Sequence, residues 1–231
     1  MKKIIIGSFI GFVLALLAPQ IAHAQGTMTV LSNLDQTSAG SLAVGSNSWF
    51  AAAFRTGGDT GGYVLNSIQL EMTGASGNPS GFTATLYHCY FGTPYILGSS
   101  LGTLDGSLNP VAGGIFTYTP ASSLTLTRFT PYAIVLTAGT AVANGAYDWS
   151  YASGDSYHPS GGWVNLGSLT SSDGSFWNFA LGGYPQYAIN VTDVPEPGVL
   201  GLFGLGGLCF FWYRRKAKLE RQSMSHSLSE P

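Results

Sequence analysis

The chain has 231 residues, 45% hydrophobic and only 9% charged, with a formal net charge of −2 and two cysteines. Residues 25–193 contain no lysine and set two arginines, Arg55 and Arg128, against eight carboxylates, which excludes nucleic acid and anionic lipid as partners of that stretch. Cys89 is its lone cysteine, so no intramolecular disulfide can form there and the fold must hold by packing.

Lys2 and Lys3 precede an uncharged apolar run over 4–17, and Ala22-His23-Ala24 forms a small-x-small site before Gln25. This order predicts a signal peptide over 1–24, cleaved between Ala24 and Gln25; an uncleaved N-terminal anchor is the alternative. The 169 residues from 25 to 193 suit one domain with a sizeable core.

Along that domain the hydrophobic pattern has period two. Ile68, Leu70 and Met72 alternate with Gln69 and Glu71 in a strand over 63–72, and Phe82, Ala84 and Leu86 alternate with Thr83, Thr85 and Tyr87. Further strands are expected at 27–31, 49–55, 115–118, 124–126, 132–136, 147–151, 177–181 and 187–191, separated by turn clusters at 57–62, 76–79 and 172–174. About ten short strands with such turns predict an all-β fold, an antiparallel, jelly-roll-like β-sandwich.

Local signals for chemistry are sparse. Gly98-Ser99-Ser100-Leu101-Gly102 fits the Gly-x-Ser-x-Gly elbow, but no helix follows it, so a turn is expected. His88 and His158 lack a partner at metal-ligand spacing, and no calcium loop appears, so neither metal nor cofactor is expected. Paired carboxylates of a glycan hydrolase leave no local trace, which keeps that activity as a minor alternative. Trp49, Trp149, Trp163 and Trp177 read as core residues of a sandwich without a disulfide. In a second reading Trp163 and Trp177, in the Gly/Ser-rich stretch 153–175, expose their rings to sugar faces while Asp155, Asn165 and Asp173 bond hydroxyl groups. That reading makes the domain a carbohydrate-binding module.

Val194-Pro195-Glu196-Pro197 then runs into an uncharged segment over 198–213, followed by Arg214, Arg215, Lys216 and Lys218. The prolines keep the box extended and open to a protease. At about 1.5 Å per residue the apolar segment makes a helix of about 24 Å, short against a hydrocarbon core of about 30 Å. Residues 210–213 are the aromatic belt, and the basic cluster is a stop-transfer signal that leaves 214–231 cytoplasmic. A plain single-span anchor with a proline linker shares these physical features.

The box, the glycine-rich apolar run and the Arg214-Arg215 stop together resemble the PEP-CTERM sorting signal of exopolysaccharide-making Gram-negative bacteria. The resemblance covers the last thirty-five residues or so, and the polar extension over 219–231 is a departure from it. It implies cleavage near the box by an exosortase-type enzyme of the inner membrane, then transfer outward to the cell surface or extracellular matrix. The region 25–193 resembles the choice-of-anchor R family through Tyr63-Val64-Leu65-Asn66-Ser67-Ile68, Ala84-Thr85-Leu86-Tyr87, Leu101-Gly102-Thr103-Leu104, Phe116-Thr117-Tyr118, Tyr132-Ala133-Ile134-Val135-Leu136, Tyr147-Asp148-Trp149, Gly161-Gly162-Trp163 and Trp177. It brings no catalytic residues. Together the two resemblances imply a non-enzymatic, exported matrix protein associated with exopolysaccharide or biofilm.

Overall fold

The structure is a computed structural model that describes residues 26–90, 96–155, 157–180 and 183–194, together with Trp212 and Arg215. One compact unit spans Gln25–Val194; the other comprises 1–24 and 195–231. The signal-peptide residues Ala22, Ala24 and Gln25, and Pro195, Glu196, Pro197, Arg214, Lys216 and Lys218, lie outside the described residues, as does the apolar segment 198–213 apart from Trp212. Among the described residues no helix is long and apolar enough to cross a membrane.

The Gln25–Val194 unit is all-β: β1 (Met28–Ser32), β2 (Gly40–Val44), β3 (Trp49–Arg55), β4 (Tyr63–Gly77), β5 (Thr83–Tyr90), β6 (Ile96–Asp105), β7 (Gly114–Pro120), β8 (Thr125–Leu126), β9 (Pro131–Thr137), β10 (Gly145–Ala152), β11 (Val164–Ser171), β12 (Asn178–Phe179), β13 (Tyr184–Pro185) and β14 (Tyr187–Asp193). Every ladder is antiparallel, and the main path runs β1-β14-β4-β7-β6-β5-β9-β3-β11-β12, with β2, β8, β10 and β13 branching from it. The sheet curls into a half-barrel. Two ladder systems face each other across the core, and short pairing of β6 with β7, Leu104 to Pro120 and Asp105 to Thr119, joins them into one path.

The large core between them follows the alternation in the sequence. Ile68, Leu70 and Met72 of β4 meet Ala84 and Leu86 of β5 and Phe82 just before it, with Tyr132, Ile134 and Leu136 of β9 beside them, all buried. Tyr63 and Leu65 are buried too, although their odd numbers break phase with the even ones that follow. The register explains it: Ser67 faces Asn190 and Leu65 faces Val191, so Asn66 is an extra residue that resets the alternation. Asn66 Nδ2 fastens the bulge by donating to Thr27 Oγ1 at 2.9 Å and Thr192 Oγ1 at 2.8 Å.

β9 reads as a continuous apolar run because it is covered on both faces. Ala133 and Val135 point away from the large core into a smaller cluster with Ala51, Ala53, Cys89, Leu169 and Trp177. β2, β6, β11 and β13 were not expected from the sequence. The Gly-Ser-Ser segment of β6 is a strand paired with β5, Ser100 opposite Tyr87, not the expected turn. The next element along the chain is β7, so the strand-turn-helix context of a hydrolase elbow is missing.

A buried polar knot ties the first and last stretches of the Gln25–Val194 unit together. Gln186 Nε2 donates to the carbonyls of Gln36 at 2.7 Å and Asn33 at 3.3 Å, and its Oε1 accepts the Ser150 hydroxyl at 2.5 Å. Asn33 in turn donates to Pro185 O at 3.1 Å and accepts the Tyr187 N–H at 2.9 Å. The Trp149 indole closes the knot on Gln186 O at 3.0 Å.

Candidate functional site

β14 delivers the chain to the sorting box. Asp193, its last residue, pairs with Tyr63, the first of β4. One residue further, the Val194 N–H donates to Gly62 O at 3.0 Å, so the first residue of the box is pinned to the β3–β4 loop. A Cβ on Gly61 would sit 2.0 Å from the Val194 carbonyl oxygen, so only glycine lets the loop lie this close. No spare chain separates the sheet from the box.

Residues 193–216 match the family model described as the PEP-CTERM protein-sorting motif. The chain carries a PEP-CTERM sorting motif. The motif implies an exported protein that exosortase processes in the membrane and that ends up at the cell surface. No curated protein and no solved structure matches the chain. The PEP-CTERM match thus starts on the last residue of β14, where the folded unit and the motif share Asp193 and Val194.

Of the expected glycan contacts, Trp163 is 1% exposed and lies in the large core. Its indole stacks on Phe54 at 5.7 Å between centroids and meets the edge of Tyr63 at 5.0 Å. Gly161 and Gly162, at φ of +56° and +79°, turn the chain so that the following ring goes inward. Trp177 is 4% exposed, in the smaller cluster beside Trp49, and its N–H donates to Gly174 O at 3.0 Å. Neither tryptophan presents a ring face to solvent, which is the arrangement of the core reading. Asp155 and Asn165 do come together, with Asn165 Nδ2 3.4 Å from Asp155 Oδ1. Asp173 is occupied with its own turn: Oδ1 accepts both the N–H and the hydroxyl of Ser175, which holds its carboxyl below the usual carboxylate range.

His158 lies 3.0 Å from Asp35 in an exposed pair, and His88 packs its ring near Tyr132 at 5.1 Å. Among the described residues no group of three or more His, Cys, Asp or Glu side chains converges. Cys89 is buried, and desolvation pushes its thiol up to about 11. The thiolate is therefore scarce at pH 8. Iodoacetamide is expected to leave the native protein unmodified for hours at that pH and to label Cys89 within minutes in denaturant; rapid native labelling, read by intact mass, would contradict this burial.

The structure also assembles a cleft of about 240 Å³ that the sequence did not announce. Met28 and Val30 of β1, the Gly58-Asp59 corner, Tyr63, Ser160-Gly161, Trp163 and Asp193 line it. Asp59 Oδ1 accepts the Gly61 N–H at 3.1 Å, and Tyr63 Oη accepts the Asp59 N–H at 3.0 Å. Burial, then the nearby Asp59 charge, raise the Asp193 carboxyl above the ordinary aspartate range. Its Oδ1 is buried with no hydrogen-bond partner, and so is Trp163 Nε1.

Proposed function

We propose that this chain is a non-enzymatic envelope or extracellular-matrix protein that an exosortase-type enzyme of the inner membrane cuts at the Val194-Pro195-Glu196-Pro197 box. After the cut, the β-domain stays at the surface among exopolysaccharide. The match to the sorting motif, beginning on the terminal residue of β14, carries the reading. The tail's order supports it: an extended proline box, a short glycine-rich apolar segment and a basic stop suit a segment of transient membrane residence. The signal-peptide pattern before Gln25 supplies the export step. The half-barrel, with two ladder systems facing each other, is compatible with a jelly-roll-like ectodomain of the choice-of-anchor R type. A structural or binding role is preferred over glycan hydrolysis because the one local motif of hydrolase type, the Gly-Ser-Ser segment, folds as a strand and not as an elbow.

The test is the intact mass of protein recovered from the native envelope and the culture medium, beside a variant with residues 194–197 replaced by alanine. A product ending close to Pro197, absent from the variant, is the expected result. A mature product that keeps 198–231 in both would make this a plain single-span membrane protein.

A further inference from the structure

The β3–β4 loop engages both backbone groups of the first residue of the sorting box. The Val194 N–H donates to Gly62 O at 3.0 Å, and the Val194 carbonyl oxygen occupies the place where a Cβ on Gly61 would stand. The loop is itself stiffened by Asp59. Its Oδ1 accepts the Gly61 N–H at 3.1 Å, its carbonyl accepts the Gly62 N–H at 3.1 Å, and its own N–H donates to Tyr63 Oη at 3.0 Å. Only Pro195, Glu196 and Pro197 then separate the held residue from the uncharged segment that starts at Gly198. Fully stretched, three residues span about 10 Å, about the width of one α-helix. A protease needs free chain to grip, and chain held by a folded domain is cut from its transiently opened form.

The same junction carries a load that favours opening. Asp193, paired with Tyr63 at the end of β14, has its Oδ1 buried without a partner, and the Asp59 carboxylate is near enough to repel it. Releasing Asp193 and Val194 returns that carboxylate to water and takes it away from Asp59. The release has a stop at Thr192, whose Oγ1 accepts from Asn66 Nδ2 at 2.8 Å.

We propose that Asp193 and Val194 form a latch that withholds the box from the exosortase. Gly61 and Gly62 hold it shut, repulsion between Asp59 and Asp193 loads it, and the enzyme cuts only chains in which it has opened. The latch rests on the proposed cleavage at the box and sets its rate. After a cut beyond Val194 the same contacts close again, which keeps the end of β14, an interior strand, from fraying.

The test is the half-life of the full-length precursor in its native cells, followed by pulse-chase with the product identified by mass. Gly61→Ala suits the local backbone, which is not left-handed there, and pushes the Val194 carbonyl off the loop. It is expected to shorten the half-life roughly threefold to tenfold, the effect of one backbone hydrogen bond on the open fraction. Asp59→Asn keeps an acceptor for the Gly61 N–H and removes the repulsion, so the half-life should lengthen about twofold or more. Thr60→Ala, at an exposed position of the same loop, should match the wild type.

If Gly61→Ala fails to fold, insertion of Gly-Ser-Gly-Val between Val194 and Pro195 carries the test. The latch then stays shut with Val-Pro-Glu-Pro restored beyond it, so the half-life should shorten about threefold or more and no longer respond to Asp59→Asn. A wild-type half-life in folded Gly61→Ala, in the insertion variant or in Asp59→Asn overturns the latch while leaving cleavage at the box standing. Slower cutting of folded Gly61→Ala overturns it too, because the loop would then be presenting the box. A wild-type precursor never cut at the box would remove the sorting reading itself, and the latch with it.

Discussion

Trp163→Ala is expected to lower the melting temperature of the β-domain by about 10 °C or more. The substitution removes a ring that stacks on Phe54 and meets the edge of Tyr63, inside the large core between the two ladder systems. Deleting a buried tryptophan costs about 3–5 kcal/mol, and each kcal/mol moves the melting point of a domain this size by about 2–4 °C. Trp177→Ala is expected to cost clearly less, because its ring belongs to the smaller cluster on the opposite face of β9. Thermal melts followed by near-ultraviolet circular dichroism distinguish the two. If Trp163→Ala melted with the wild type, the ring would be a surface feature and the inward turn at Gly161 and Gly162 would be wrong.

Gln186→Leu is expected to destabilise the domain as well, by less and for a different reason. Leucine has similar bulk but cannot satisfy the groups that the amide serves: the Ser150 hydroxyl and the carbonyls of Asn33 and Gln36. Gln186, Asn33 and Ser150 are all fully buried, so water cannot easily replace the lost partners. The Ser150 hydroxyl keeps Ser38 Oγ at 2.7 Å and the Asn33 carbonyl keeps the Gln36 N–H at 3.1 Å, so the knot is weakened rather than stripped of partners and the loss is about 1–3 kcal/mol. Urea denaturation gives the midpoint, and Gln186→Glu adds a check: a buried carboxylate there accepts the Ser150 bond but repels both carbonyls, so its penalty should fall as pH drops and the acid protonates. A wild-type midpoint for Gln186→Leu would mean the knot contributes nothing beyond shape.

The strands with clean alternation were legible because one face of each is buried, as Ala84 and Leu86 of β5 and Ile68, Leu70 and Met72 of β4 illustrate. β6 and β11 were hidden by their own composition: Ile-Leu-Gly-Ser-Ser-Leu-Gly and Val-Asn-Leu-Gly-Ser read as loop, yet each gains its strand geometry from a neighbouring ladder. The bulge at Asn66 could not be inferred either, since it is set by the register of β14 against β4. The sorting motif was readable because its parts are contiguous. The Trp163–Asp193 cleft was not, because its groups come from the β3–β4 loop, the turn before β11 and the end of β14, and no local spacing links them. Trp163 itself was singled out, with a face-stacking role that its burial does not permit.

The position of β14 sets a timetable for export. This strand is the last segment of the β-domain in the sequence, yet it lies inside the sheet, between β1 and β4. Met28 and Leu31 of β1 have no ladder partner until Val191 and Ile189 appear, and β4 lacks one of its longest neighbours until the same moment. A chain threaded outward from its N-terminus must therefore hold β1 without a strand partner, and β4 open along the edge that β14 will cover, until nearly all of the domain has crossed, with the apolar segment of the sorting signal following a few residues later. Completion of the fold and arrival of the sorting signal become nearly simultaneous. A chain truncated before β14 would lose the strand that closes its N-terminal edge onto the sheet, so premature termination should yield an open, aggregation-prone product rather than a shortened domain.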